Sequence, residues 1–289
     1  HKWAHADNQR CQVILSEPRE EGVDQIIKPR YKQASSCRQP ICAACQLGKQ
    51  GQTSVGTSTQ VPIPNRQNLL RANNLKPGDA VSIDQYMTAT HGRLAHTKGK
   101  EAKSKQYVGG TIFVDHSTTL IHHASQVSLR VGETLKAKHH FEGLAKEWGH
   151  KITHYHADNA PFRAEEFVRD CANQDQKVTY SGVGAHHQNG VAERAIRTVT
   201  SWARTMMLHQ VLHWPSEARL DLWPFALDQA IYIWNNLPRR DGSRLSPLEL
   251  FSGTKLPNYN HVQRAHVWGC PVYVLDPSLQ DGKKIPKWK

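Results

Sequence analysis

The chain has 289 residues, enough for one sizeable core plus one or two small modules. Lys and Arg total 37 against 25 Asp and Glu, a net charge of +12 with 18 His besides, which suits a polyanionic partner as well as it suits a basic protein with no such role. Six Cys in this length exclude a disulfide scaffold, no apolar run approaches the roughly 18 to 20 residues that span a bilayer, and no signal-peptide pattern opens the chain.

Residues 1–50 hold a cluster of His and Cys. His1 and His5 precede Cys42 and Cys45, and two imidazoles with two thiolates make a tetrahedral set for a structural Zn²⁺. A Cys-x2-Cys pair also serves redox chemistry or arises by chance. Cys11, Cys37, Cys171 and Cys270 stand as isolated thiols, with Cys37 a spare ligand. Residues 51–76 are polar, with Pro and Gly, and read as a linker. The start at His1 without Met and the Lys-rich end suggest a piece cut from a longer polypeptide.

Residues 77–237 alternate strand and helix signals. Asp79–Met87 alternates as a strand, followed by a basic stretch with Lys98, Lys100, Lys103 and Lys105. Tyr107–Asp115 and Thr118–Ala124 read as two strands about a turn. Glu133–Trp148 has helical periodicity, Ile152–Ala157 is a short strand, Ala164–Asn173 a helix and Lys177–Tyr180 a last strand. Gly190–Gln210 is a long helix and Pro215–Leu237 another. The order β-β-β-α-β-α-β-α-α predicts a mixed five-stranded α/β sheet with flanking helices. Residues 238–289 are punctuated by Pro and Gly and are expected to end in short strands.

Three carboxylates stand out. Asp84 interrupts an apolar strand, where a charge is costly unless paired or metal-bound. Asp158 closes the fourth strand, and ligand sites in α/β sheets gather at strand ends. Glu193 opens the long helix. Three such groups would serve phosphoryl transfer, in which two hard divalent cations flank a scissile phosphate. Equally, Asp158 caps a helix and Glu193 offsets a helix dipole. Along the long helix Glu193, Arg197, Thr200 and Arg204 follow spacings of four, three and four, which places them on one face with phosphate-binding guanidiniums.

The run His187-Gln188-Asn189-Gly190-Val191-Ala192-Glu193-Arg194 resembles the S-x-Q-N-G-x-A-E-R stretch of retroviral and retrotransposon integrases. Asp158-Asn159-Ala160 with Phe162 is similar to that family's D-N-G-x-E-F. Trp223, Ala226, Ala230, Tyr232, Asn235 and Pro238, then Ser246-Pro247-Leu248-Glu249 and Trp268-Gly269-Cys270, resemble the extension of copia-type elements. Pro40-Ile41-Cys42-Ala43-Ala44-Cys45 resembles the family's zinc element.

The resemblance implies a ribonuclease-H-like catalytic core at 77–237, a zinc-binding module at 1–50, and a copia-type extension at 238–289. It implies Asp84, Asp158 and Glu193 as ligands of Mg²⁺ or Mn²⁺, and His1, His5, Cys42 and Cys45 as ligands of Zn²⁺. The implied reaction is attack of a DNA 3′-hydroxyl on a target phosphodiester. Gln188, Asn189, Arg194, Arg197 and Arg204 are the expected DNA contacts. Double-stranded DNA and further copies of the chain are the expected partners, along with other products of a polyprotein; no membrane is. Action in the nucleus follows passage through a cytoplasmic particle. A nuclease of the same fold, or a non-catalytic DNA-binding remnant of a retroelement, would carry many of the same residues.

Overall fold

The computed structural model describes residues 2–4, 6, 10–11, 14, 41–51, 74–97, 101–158, 161–181, 189–239, 243–257 and 259–274. Five strands form one sheet: β1 (Val81–Gly92), β2 (Tyr107–Asp115), β3 (Ile121–Gln126), β4 (His154–Ala157) and β5 (Lys177–Tyr180). Their order across the sheet is β3-β2-β1-β4-β5. β1 pairs antiparallel with β2 and parallel with β4, and β5 runs parallel to β4. The expected mixed five-stranded sheet is therefore present.

Helices cover both faces, which explains why β2 reads as a nearly unbroken apolar run. On one face α2 (Val131–Glu147) and α3 (Glu165–Asn173) pack against Val81, Ile83, Phe113 and Tyr155. On the other, α4 (Gly190–His213) and α5 (Trp223–Asn236) cover Tyr86, Ile112, Val114 and Ile121. The alternation along β1 sends Ile83 to the first core and Tyr86 to the second.

Most boundaries differ from the sequence expectation by a few residues, and three of the differences have a clear tertiary reason. β1 continues to Gly92 because its end is held by the start of α5. Trp223 Nε1 donates to the Thr90 carbonyl at 2.9 Å, and a Cβ on Gly92 would sit 2.7 Å from the Trp223 ring. β3 begins three residues late because the turn before it is built on Asp115. That buried carboxylate accepts from the Thr118 backbone and hydroxyl and from the Gly78 N–H, and Thr119 takes a left-handed φ of 61°. The helix expected over Pro215–Leu237 is broken. Two short 3-10 turns, Pro215–Glu217 and Leu220–Leu222, flank extended Ala218 and Arg219, and α5 proper starts at Trp223. Pro224 sits in its first turn, where a missing N–H disturbs nothing.

α1 (Ala43–Gly48) lies on α4, where a Cβ added to Gly48 would meet Thr205 at 2.4 Å. Trp3 donates to the Val262 carbonyl at 2.8 Å, and the Arg10 guanidinium lies 5.0 Å from the Trp234 ring centre. The described part of the first fifty residues thus rests on the α4 and α5 side of the sheet. Beyond residue 238, the described residues form two short helices, α6 (Pro247–Ser252) and α7 (Asn260–Gln263), and no strand. α6 is fixed by a capping box in which Ser246 and Glu249 satisfy each other's backbone N–H. Among the described residues no helix is long and apolar enough to cross a membrane.

Candidate active site

The parallel ladder between β1 and β4 ends at the pair Ile83 and Ala157. Asp84 and Asp158 are each the next residue along their strands. Because the strands run the same way and lie about 4.8 Å apart, both carboxylates follow directly on the last pair of that ladder, although β1 itself continues beside β2. Both are half-buried, and Asp84 Oδ1 accepts the Gln85 backbone N–H at 2.8 Å.

α4 enters this end of the sheet through Asn189, its N-cap residue. Asn189 is 1% exposed, and its Nδ2 donates to the Ile83 carbonyl at 3.0 Å. The bond is made where the parallel ladder runs out. Glu193 lies four residues on, one turn along the same side of the helix. The fold therefore ties the turn that carries Glu193 to the residue before Asp84. Sequence reasoning took Asn189 for a DNA contact; its buried amide instead bonds to the fold.

Asp84 and Asp158 are hard oxygen donors beside the end of the β1–β4 ladder, and Glu193 is on the helix tied to that point; carboxylates are a donor type that suits Mg²⁺ or Mn²⁺. Among the described residues, however, no three His, Cys, Asp or Glu side chains already form a set able to hold a metal ion. Residues 159–160 and 182–188, which adjoin Asp158 and α4, lie outside the described residues, Gln188 among them.

A histidine row that the sequence reading passed over borders the carboxylates. Ser82, His156 and Thr179 are register partners across β1, β4 and β5. His154 and His156 both hydrogen bond to the Thr179 hydroxyl, at 2.8 and 2.9 Å, and His116 bonds to Ser82 Oγ at 2.8 Å. Burial lowers the His154 pKa, and His156, His116 and Lys177 lower it further. The two-residue period 154, 156, 158 was the missed signal, since it places both imidazoles on the face of Asp158.

Arg194, Arg197 and Arg204 are exposed on α4. Of the zinc set, His1 and His5 lie outside the described residues. Cys42 is the N-cap of α1 and Cys45 is in its first turn. The Cys45 thiol pKa is raised by burial and by the adjacent, hydrogen-bonded Cys42. The two thiols are neighbours on α1, which packs on α4 through Gly48, and among the described residues no third metal-binding side chain completes a set with them.

No protein-family model matches the chain. Over 148 residues it is 26% identical to the retrovirus-related Pol polyprotein from transposon TNT 1-94 of Nicotiana tabacum, covering 50% of this chain and 10% of that one. The chain thus spans about a tenth of the length of that curated relative. Among solved structures, it is similar to the simian T-cell lymphotropic virus intasome in complex with the PP2A regulatory subunit B56 gamma. That match has 16% identity and a TM-score of 0.46, over 71% of this chain and 60% of that one. It is also similar to the HTLV-2 integrase catalytic core domain in complex with magnesium (19% identity, TM-score 0.42, 61% and 98% covered) and to the BIV integrase catalytic core domain (15%, 0.39, 60% and 93%). Over half its length, then, the chain is similar to a part of a retrotransposon Pol polyprotein.

Proposed function

We propose that the chain is the integrase of a copia-type retrotransposon and joins element DNA ends to target DNA. The observation that carries this reading is the Ile83–Ala157 register, which sends Asp84 and Asp158 out together, with Asn189 fastening the Glu193-bearing helix to the same point. In this reading Asp84, Asp158 and Glu193 hold Mg²⁺ or Mn²⁺. The metal supplies Lewis-acid stabilisation of charge at the scissile phosphate. The 3′-hydroxyl oxygen of the donor strand forms a bond to the target phosphorus, the target's own 3′-oxygen leaves, and the hydroxyl proton passes to solvent. Arg194, Arg197 and Arg204 contact phosphates of double-stranded DNA.

Cys42 and Cys45 hold a structural Zn²⁺ with His1 and His5, and further copies of the chain assemble on the DNA. The HTLV-2 core in complex with magnesium supports the choice of metal for a protein of this type. The test is a strand-transfer assay with short duplex ends and Mg²⁺ or Mn²⁺. Joined products are expected. Cleavage without joining would make the chain a nuclease of the same fold, and DNA retention without either would make it a binding remnant.

A further inference from the structure

One flank of α4 carries two surfaces in succession. Glu193, Arg197, Thr200 and Arg204 lie along it, and the same helical spacing continues through Leu208 and Val211. On β1, Asp84, Tyr86 and Thr88 share a strand face by their two-residue period. The two lines converge on a groove of about 350 Å³ between β1, α4 and the start of α5. Tyr86, Thr88, Arg204, Leu208, Val211 and Trp223 line it. Its walls are apolar, and Arg204 stands at the end that leads back to Glu193.

Both aromatic rings in the groove have their polar atoms engaged elsewhere. The Tyr86 hydroxyl is hydrogen bonded to His123 Nδ1 at 3.2 Å, and His123 Nε2 to Asp228 at 2.6 Å. Trp223 Nε1 donates to Thr90. What remains to line the groove is ring surface. The volume is near the low end of small-molecule sites, which suits a single planar ring system better than a helix or strand of a partner protein. The eleven residue steps from Glu193 to Arg204 span about 16 Å of helix axis. At about 3.4 Å per nucleotide, that is roughly five nucleotides along a strand.

We propose that the groove is a nucleobase pocket that takes one unstacked base, about five nucleotides from the phosphate at the carboxylates. The proposal rests on the integrase reading for the direction in which DNA crosses α4. It explains why a basic flank ends in an apolar slot: phosphates are held by Arg197 and Arg204, and the base leaves the stack onto aromatic surface.

The experiment places 2-aminopurine singly at each of the first ten positions from the 3′ end of a short duplex and titrates the protein without divalent metal. A fluorescence rise confined to one or two positions, four to six nucleotides from the end, is expected. Val211→Glu and Leu220→Glu, at residues 46% and 70% exposed, should abolish that rise and weaken DNA binding about tenfold at unchanged thermal midpoint. A uniform response along the duplex, or a localised one that survives both variants, overturns the pocket. So does a fall in sedimentation mass of the variants with the fluorescence pattern intact, which would make the groove an interface between copies. A localised signal in a protein that joins no DNA would sink the integrase reading and leave the pocket standing. Efficient joining without a localised signal would do the reverse.

Discussion

The side-chain amide of Asn189 reaches the Ile83 backbone carbonyl at 3.0 Å from a fully enclosed position. A strand residue adjoining Asp84 is thereby bonded to a helix residue one turn before Glu193, which links the backbones that carry those two carboxylates. Among the described residues the Oδ1 of Asn189 has no hydrogen-bond partner, and the bond from its nitrogen is the one that ties it to β1. Asn189→Ala should lower stability by about 1 kcal/mol, the usual worth of one such bond. It should raise the Mn²⁺ concentration for half-maximal joining severalfold while duplex affinity stays within about twofold. A metal titration that overlays the parent's would show that Asn189 does not position the site.

The carboxylates themselves should separate chemistry from binding. Asp84→Asn keeps an oxygen for the Gln85 N–H, so the strand should fold as before. Asp84→Asn, Asp158→Asn and Glu193→Gln are each expected to reduce joining at least a hundredfold with DNA affinity, read by fluorescence anisotropy, nearly unchanged. Residual joining within tenfold of the parent would remove that residue from the metal site.

The strands that carry Asp84 and Asp158, and the helix that carries Glu193, were legible because each rests on a local pattern. Apolar alternation marks β1, a short β-prone run ends at Ala157, and a 3.6-residue period runs through α4. The break between Pro215 and Trp223 was not legible, since it depends on Arg93 donating to the Asp221 carbonyl at 2.7 Å and on Trp223 reaching Thr90. Nor was the inward turn of Asn189, which needs the end of a ladder between β1 and β4, residues far apart in the chain. Contacts of that kind leave no period to read.

Zinc is the simplest expectation to check. Purified protein should carry close to one zinc per chain, and Cys42→Ser or Cys45→Ser should lose it. Because α1 seats Gly48 against Thr205 of α4, zinc loss should also expose α1 to protease before the sheet unfolds. Metal analysis that finds no zinc in protein prepared without chelator ends the idea.

Lys138 is fully buried between Glu142 at 2.9 Å and Asp170 at 2.6 Å, with His139 also on Asp170 at 2.8 Å. Burial alone would raise the Asp170 pKa, but hydrogen bonds from Lys138 and His139 outweigh it and hold the carboxyl below its usual range. The linkage is that of a depressed acid: stability is present above the unfolded pKa near 4 and is lost as pH falls through the lower folded value. Lys138→Ala would remove the cation shared by two partly buried carboxylates, leaving Glu142 with Tyr155 and Gln176 and Asp170 with His139, and should cost about 3 kcal/mol. Lys138→Met combined with Asp170→Asn should cost far less. Equal losses for both changes, in urea melts, would mean the ion cluster is not what holds α3.

His122 gives a separate acid response. Its ring stacks on Phe141 at 5.4 Å between centroids and lies 6.0 Å from Phe113. Burial, with His123 and His140 nearby, lowers its pKa from 6.5 to about 3. The unfolded chain then takes up this proton below about pH 6.5, while the folded chain refuses it until about pH 3. Stability must fall as the solution is acidified through that interval, by up to about 2 kcal/mol at pH 5. His154 and His209, also lowered, act in the same direction. The carboxylate linkage at Asp170 begins only near pH 4, and burial raises the Asp115 pKa, which works in the stabilising direction on acidification. A loss of stability between pH 6.5 and 5 therefore reports on imidazoles. His122→Phe keeps the stack and removes the titration. It should flatten the fall in denaturation midpoint between pH 7 and pH 5 without lowering the value at pH 7. An equally steep fall in the variant would assign the acid sensitivity to the other two histidines.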